Sequence, residues 1–437
     1  MSSTVYEFAQ TDWLTKDEIR DLQVERLQDT VQRAARSPFY RQRFASLGIN
    51  PASIRTPEDL SSLPFTTKDD LRSGMPWSFL AVPAREAVRM HYSSGTTGVA
   101  TAVFHTQGDL RRWAECVGRG MIAAGVTADD VFQNMMSYGL FTGGLGFHYA
   151  GELIGCITIP AGAGNTARQI HLMQTFGTTV LHILPSYALR VALSCVEEGI
   201  TPSEDLMVRV IFVGGEPHTE NTRRRIEAQF GASVYNCYGM SEMAGPGVAM
   251  ECQAQDGLHL REDHYLAEII DPDTLEPLPE GEQGELVITT LTREAMPLLR
   301  YRTRDITQLL PGECPCGCRH RRISRIVGRS DDMLIVRGCN VYPMQVERVL
   351  MGYPELGSNW LITIDQVRGM DQMTITVELS TSFGVDDARM LDSLRERVEH
   401  DLRDELLLTP VVELAEPGKL PVSEGKAQRV RDRREDR

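Results

Sequence analysis

No stretch of this sequence approaches the roughly 20 consecutive apolar residues that a bilayer-spanning helix needs. The opening residues 1–18 hold neither a basic n-region nor an apolar h-region, so no signal peptide is expected. Positive charge is also short: 45 Lys and Arg face 60 Asp and Glu, a formal net charge of −15. So acidic a surface repels phosphate backbones, which excludes nucleic acid as an expected partner. The basic stretch 426–437 is the exception and reads, taken alone, as a solvated end. The 9 cysteines are an odd number in a chain with no export signal. They fit a reducing, cytoplasmic setting rather than a disulfide framework. Internal repeats and low-complexity segments are absent as well.

What is present is the composition of a globular protein, 42% apolar and 24% charged. At 437 residues the chain is too long for one ordinary core and implies two or three packed units. Residues 16–48 read as helices, with Ile19, Leu22, Leu27 and Val31 at helical spacing and a stop at Gly48. From about residue 85, short apolar runs alternate with helical stretches. VRMHYSS precedes a helix, as do TTVLHILP and VRVIFVGG. Runs of this kind read as strands buried on both faces, hence α/β units around a largely parallel sheet. After residue 255 the strand-formers YLAEIID, GELVITTL and DITQLL imply a β-rich subdomain, about 250–325. A boundary is expected near 330, followed by a compact unit with strands NWLITID and TITVELS and two helical stretches within 385–408.

The sharpest local feature is the run from Tyr92 through Ser93, Ser94, Gly95, Thr96 and Thr97 to Gly98. Two glycines open conformations closed to other residues, and hydroxyls and free N–H groups between them suit phosphate oxygens. It is not a Walker A loop, and it has no lysine, so it cannot neutralise a triphosphate alone. Read in isolation, such a run is a surface turn.

The loop does not stand alone. It resembles the phosphate-binding motif of the adenylate-forming superfamily of acyl-CoA synthetases, luciferases and adenylation domains. Five more motifs follow in order: Gly214-Gly215-Glu216-Pro217, Tyr238-Gly239-Met240-Ser241-Glu242, Tyr301 to Asp305, Gly328 to Asp332, and Ser423 to Lys426. YGLFTGGLG (138–146), GPGVA (245–249) and SDDMLIVRG (330–338) are similar to the phenylacetate–CoA ligase branch. The resemblance spans nearly the whole chain. It implies a large N-terminal α/β domain, 1–329, and a small mobile α+β lid, 330–437.

The chemistry it implies explains the residue types. A carboxylate must attack the α-phosphorus of ATP, so the site has to offset the repulsion of two anions and hold them in line. By resemblance Glu242 binds Mg²⁺ and Ser241 a phosphate. Gly215, Glu216, Pro217, Asn236, Tyr238, Gly239 and Met240 surround the nucleotide. Asp305 accepts from the ribose hydroxyls, and Arg329 reaches ATP from the domain junction. Lys426 supplies a cation to the α-phosphate and attacking carboxylate, and Asp331 is the hinge about which the lid turns to admit coenzyme A. One departure stands out: many relatives place Pro-Lys after the phosphate loop, and here the residues are Val99-Ala100-Thr101.

Tyr138, Phe141, Gly214, Met240 and Pro246 fall in motifs that line the acid pocket of relatives, and aromatic and small residues there suit a flat ring. Phe147 is bulkier than the residue expected before His148, which implies a shortened pocket and favours a benzoate-type acid over an arylacetate. Finally, Cys314, Cys316, Cys318 and His320 crowd together, with Cys252 and His259 about 60 residues earlier. Four such ligands make a closed tetrahedral zinc site. The resemblance favours Cys252, His259, Cys314 and Cys316, with Cys318 and His320 as substitutes. Free thiols or a redox pair are the competing readings. A homodimer is what the resemblance implies about assembly. A biosynthetic enzyme delivering the acyl group to a carrier-protein thiol or an amine is one alternative reading of the chain. A non-catalytic nucleotide-binding protein is another, and intact Glu242, Asp305, Arg329 and Lys426 speak against it.

Overall fold

The alternating apolar runs and helices build a nine-stranded sheet. The computed structural model describes residues 9–93, 101–140, 142–367, 370–381, 383, 388–421 and 428–434, with Ser93 and Val367 described by their backbone alone. From edge to edge the sheet runs Leu309–Leu310, Arg322–Ile323, Leu258–Leu260, Gly245–Glu251, Ser233–Met240, Val210–Gly214, Val180–Ile183, Val131–Asn134 and Ile157–Ile159. The last five are mutually parallel and the first four antiparallel. Val180–Ile183 and Val210–Gly214 are buried at every position, as parallel strands covered on both faces must be. Crossover helices Gly143–Ile154, Thr166–Phe176, Pro185–Glu197 and Glu220–Phe230 connect them. The carboxyl ends of the parallel strands therefore share one edge, where open α/β sheets bind ligands.

A second, four-stranded sheet holds Tyr265–Ile270, Gly284–Thr290, Tyr301–Thr307 and Gly328–Arg329. The helices Lys16–Ala34 and Pro38–Leu47 contribute Leu27, Val31, Tyr40 and Phe44 to the core this sheet lines. Each such side chain stabilises by about 1.5–3 kcal/mol when fully buried. A Thr15–Glu18 capping box starts the first helix, and Gly48, at φ 67°, stops the second where the sequence placed the stop.

VRMHYSS does not join the large sheet. Among the described residues Arg89–Ser93 pairs only with Thr101–His105, as a two-stranded antiparallel sheet. The reason lies in its period: Val88, Met90 and Tyr92 are exposed while His91 between them is buried, the alternation of a half-covered strand.

The C-terminal region has its own core, drawn from residues between 334 and 430 and including the buried Trp360. Its sheet orders Val411–Ala415, Met370–Leu379, Leu356–Val367 and Val430–Asp432. The two helical stretches expected within 385–408 are one helix, Ala388–Leu406, which packs Leu394, Val398, Leu402 and Leu406 at a spacing of four. Among the described residues no helix is long and apolar enough to cross a membrane.

Candidate active site

At the shared edge the chain reverses between Ser233–Met240 and Gly245–Glu251, and glycine makes the bend possible. A Cβ on Gly239 would lie 2.0 Å from the Gly245 carbonyl oxygen, and the register shifts there. The bend turns Tyr238 inward, where its phenol donates to Asp305 Oδ2 at 2.7 Å. Asp305 Oδ1 accepts from Arg329 Nη1 at 2.9 Å. Arg329 in turn forks onto Asp331, Nε to Oδ1 at 2.9 Å and Nη2 to Oδ2 at 3.0 Å. Burial pushes the Asp305 carboxyl up, and the Arg329 charge and the Tyr238 donor only partly offset it. Sequence reasoning gave Asp305, Arg329 and Asp331 separate roles; they form one hydrogen-bonded chain ending at the expected hinge.

Glu242 sits in the short turn Ser241–Met243 and is 3% exposed. Lys68 Nζ is 3.6 Å from its Oε1, and Thr101 Oγ1 approaches the same oxygen at 3.5 Å. Ser241 Oγ lies 3.3 Å from Thr142 Oγ1. Lys68 and Thr142 were not anticipated. A signal for Lys68 existed, because the chain has only four lysines: Lys16, Lys68, Lys419 and Lys426.

Gly214 ends its strand against Cys237, where a Cβ would meet the carbonyl oxygen at 2.5 Å. Gly215, at φ 77°, and Pro217 are exposed at the strand's end. The Glu216 carboxylate turns away to accept from Ser186 Oγ at 2.7 Å. Asn236 is buried, its backbone N–H donating to Glu251.

On the acid side, Tyr138 OH accepts from Asn134 Nδ2 at 3.0 Å and lies 3.4 Å from His148 Nδ1. The Pro246 carbonyl accepts from Trp113 Nε1 at 2.8 Å. Phe147 does not shorten a pocket. It belongs to the face of its helix that meets the sheet, with Gly144, Gly151 and Ile154, and stacks on His182 at 3.7 Å within the core. Its bulk fills the interior, and the argument for a benzoate-type acid loses its support. Ser94, Gly95, Thr96, Thr97, Gly98, Phe141 and Lys426 lie outside the described residues; Ser93 and Thr101, which flank the loop, are paired strand residues.

The side chains of Cys252, His259, Cys314 and Cys316 come together, their ligand atoms all within 4.8 Å of one another. Cys252 Sγ is 3.6 Å from Cys314 Sγ, and Cys316 Sγ is 3.3 Å from His259 Nε2. These separations suit ligands at ~2.3 Å (S) and ~2.0 Å (N) from one tetrahedral ion. His259 Nδ1 faces the His320 carbonyl oxygen at 3.2 Å, leaving Nε2 for a metal. His320 is committed elsewhere: Nδ1 accepts from the Glu262 backbone N–H, and Nε2 lies 3.0 Å from the Thr11 carbonyl oxygen.

The C-terminal region docks through Glu347 on the helix Pro343–Leu350, a further contact the sequence did not foretell. Its Oε1 accepts from Thr219 N at 3.1 Å and Thr222 Oγ1 at 2.6 Å, at the start of the helix Glu220–Phe230.

A buried carboxylate at a strand bend, an Asp–Tyr–Arg node beside it and a separate C-terminal unit define the class, an AMP-binding enzyme. That family matches residues 49–292, and the AMP-binding enzyme C-terminal domain matches residues 338–434. Within it, the chain belongs to the phenylacetate–coenzyme A ligase family. It is 43% identical to the phenylacetate-coenzyme A ligase of Thermus thermophilus, over 96% of this chain and 98% of that one. Identity to the Escherichia coli phenylacetate-coenzyme A ligase is 40%, over 96% and 95%. The fold is similar to 2-hydroxyisobutyryl-CoA ligase in the postadenylation state in complex with 2-HIB-AMP, at TM-score 0.90 and 29% identity, covering 97% of this chain and 91% of that one. The same ligase in the thioesterification state gives 0.70, at 30% identity and coverage of 96% and 91%.

Proposed function

We propose that this chain activates an aromatic carboxylic acid, of the phenylacetate or benzoate type, with ATP and passes it to coenzyme A. The acid's carboxylate oxygen bonds to the α-phosphorus, the bond from that phosphorus to the bridging oxygen breaks, and diphosphate leaves with the electron pair. The CoA thiol, losing its proton, then bonds to the acyl carbon, and AMP departs. The observation that carries this reading is the Tyr238–Asp305–Arg329–Asp331 chain, which ties a candidate ribose acceptor to a candidate hinge.

Asp305 keeps lone pairs on both oxygens for a ribose. Glu242 and Ser241 fit Mg²⁺ and phosphate: among the described residues the buried carboxylate meets only Lys68 at 3.6 Å and Thr101 at 3.5 Å, which leaves it room for a cation. Magnesium held by Glu242 would supply positive charge to offset that of the phosphates. Gly215, Pro217, Asn236, Gly239 and Met240 are assigned to the nucleotide, and Tyr138, Phe141, Gly214, Met240 and Pro246 to the ring. Lys426 is assigned to the α-phosphate during adenylation. Cys252, His259, Cys314 and Cys316 are proposed to hold a structural Zn²⁺, supported by their spacing. The domain division at 329/330, a homodimer and a cytoplasmic location belong to the same reading; the last is supported by nine free cysteines.

The test is acid-dependent ATP–diphosphate exchange over phenylacetate, benzoate, hydroxybenzoates, aminobenzoates and indoleacetate, repeated with CoA while the thioester is followed. Exchange without a CoA ester would move the acceptor to a carrier-protein thiol or an amine. Light scattering gives the mass in solution.

A further inference from the structure

Two helices from opposite sides of the 329/330 boundary complete each other's ends. Thr219, two residues past Pro217, is the N-cap of the helix Glu220–Phe230. The start of a helix carries unpaired N–H groups and partial positive charge. Glu347, 7% exposed, sits on that start and accepts from the Thr219 N–H and the Thr222 hydroxyl. In return, the helix Pro343–Leu350 leaves carbonyls without helical partners at its own C-terminal end. Asn221 Nδ2 donates to the Arg348 carbonyl at 3.1 Å. One turn further along, Arg225 Nη1 donates to the Leu356 carbonyl at 3.0 Å and Nη2 to the Tyr353 carbonyl. Asn221 and Arg225 are four positions apart and so share one face of their helix.

Each of these bonds joins a charged or amide side chain to an uncharged partner. A bond of this kind is exchanged for one to water when it breaks, so its net strength is modest. Such a set can be made and broken within a turnover. The docked arrangement also has a direction. Similarity to 2-hydroxyisobutyryl-CoA ligase is greater for its postadenylation state than for its thioesterification state. Thr219 lies just past the segment assigned to the nucleotide, so docking braces that segment from behind.

We propose that Asn221, Arg225 and Glu347 are positioning residues: they latch the C-terminal unit to the helix that follows the nucleotide segment. The latched arrangement favours adenylation, and the latch opens before the acyl group passes to the thiol. None of the three touches a reacting atom. The consequence for the two half-reactions rests on the function proposed above; the latch itself rests on the geometry.

Hydrogen exchange reads the latch without substrate, because the Thr219 amide is protected by a carboxylate of the other unit. Arg225→Met should speed exchange about 10-fold in peptides covering 219–223 and, in parallel, in those covering 343–357. The helix Lys16–Ala34 should be unchanged. Acid-dependent ATP–diphosphate exchange should fall about 10-fold, while transfer from preformed aryl-adenylate to CoA holds or rises. Glu347→Ala should reproduce both effects from the other side, and it replaces Arg225→Met if that variant fails to fold. Glu347→Gln keeps an acceptor oxygen and should restore most of what Glu347→Ala loses. Faster hydrogen exchange on one side only, adenylation and transfer falling together, or neither changing overturns the latch. A wild-type chain that forms no adenylate with any of the acids refutes the parent function; the hydrogen-exchange result then still decides the latch.

Discussion

Two clusters of buried charge in this molecule are built on opposite plans. Around Arg119, 1% exposed, Nη1 meets Asp263 Oδ2 at 2.8 Å and Nε meets Asp12 Oδ1 at 3.1 Å. Arg261 adds a second cation to Asp12, Thr11 donates to Asp263, and His320 closes the group. Around Glu242 there is, among the described residues, one ammonium at 3.6 Å and one hydroxyl at 3.5 Å. Burial would raise the Asp263 and Asp12 carboxyls, yet the surrounding cations hold both below the usual range. A buried charge saturated by short contacts has finished its work when the chain folds. A buried charge with long contacts has capacity left for something that arrives later.

The widest separation between the two plans should appear in stability. Arg119→Met strands two buried carboxylates and should cost about 3–5 kcal/mol. Lys68→Met should stay within about 1 kcal/mol, because the lysine is 36% exposed and meets Glu242 only at 3.6 Å. Urea unfolding of both variants checks this, and equal losses would erase the distinction.

The Cys252–His259–Cys314–Cys316 cluster adjoins the saturated group through the His320 carbonyl and should share its structural character. Removing an ion held at ~1,000 times its dissociation constant removes about 4 kcal/mol. Cys314→Ser should therefore lower metal content from about one Zn²⁺ per chain toward zero and lower the melting temperature. Elemental analysis with a melting curve reads both. Metal loss at an unchanged Tm would move the cluster out of the structural class.

Tyr238→Phe probes the open side. It removes one hydrogen bond to a charged group, about 1.5–3 kcal/mol, and so should raise the ATP KM about 10-fold or more with a smaller effect on the acid KM. Steady-state kinetics in each substrate distinguishes this from a general loss.

The contrast also explains what the sequence revealed. Motifs whose members are neighbours in the chain were readable as motifs: the run Tyr238 to Glu242 and the Cys314–Cys316 pair. Gly48 stopped its helix because αL geometry is a local property. Pairings set by the tertiary path were not readable. Lys68 reaches Glu242 across 174 positions only because Thr66 pairs with Tyr301, and no local pattern announces that bridge. Phe147 was misplaced because one step around a helix, about 100°, separates the core face from His148 on the Tyr138 side. Arg89–Ser93 looked like a buried strand when its alternation was passed over.

Glu347 stands between the two plans and offers the smallest test. It is buried, and its Oε1 is engaged by the Thr219 N–H and the Thr222 hydroxyl, which carry no charge. Uncharged donors offset less of the desolvation, and burial raises its carboxyl above the ordinary 4.5, opposite to Asp12 and Asp263. A carboxyl raised on folding binds its proton more tightly in the native state. Its contribution is therefore fully present below pH 4.5 and is lost as pH climbs through the folded value. Glu347→Gln cannot titrate, so the stability difference between wild type and variant should shift against the wild type as pH rises from 4.5 to 7.5. Urea midpoints across that range measure it. A difference moving in favour of the wild type as pH rises would mean that the two threonine donors compensate an ionised carboxylate as well as a guanidinium does, and charge state would no longer separate the docking contact from the saturated cluster.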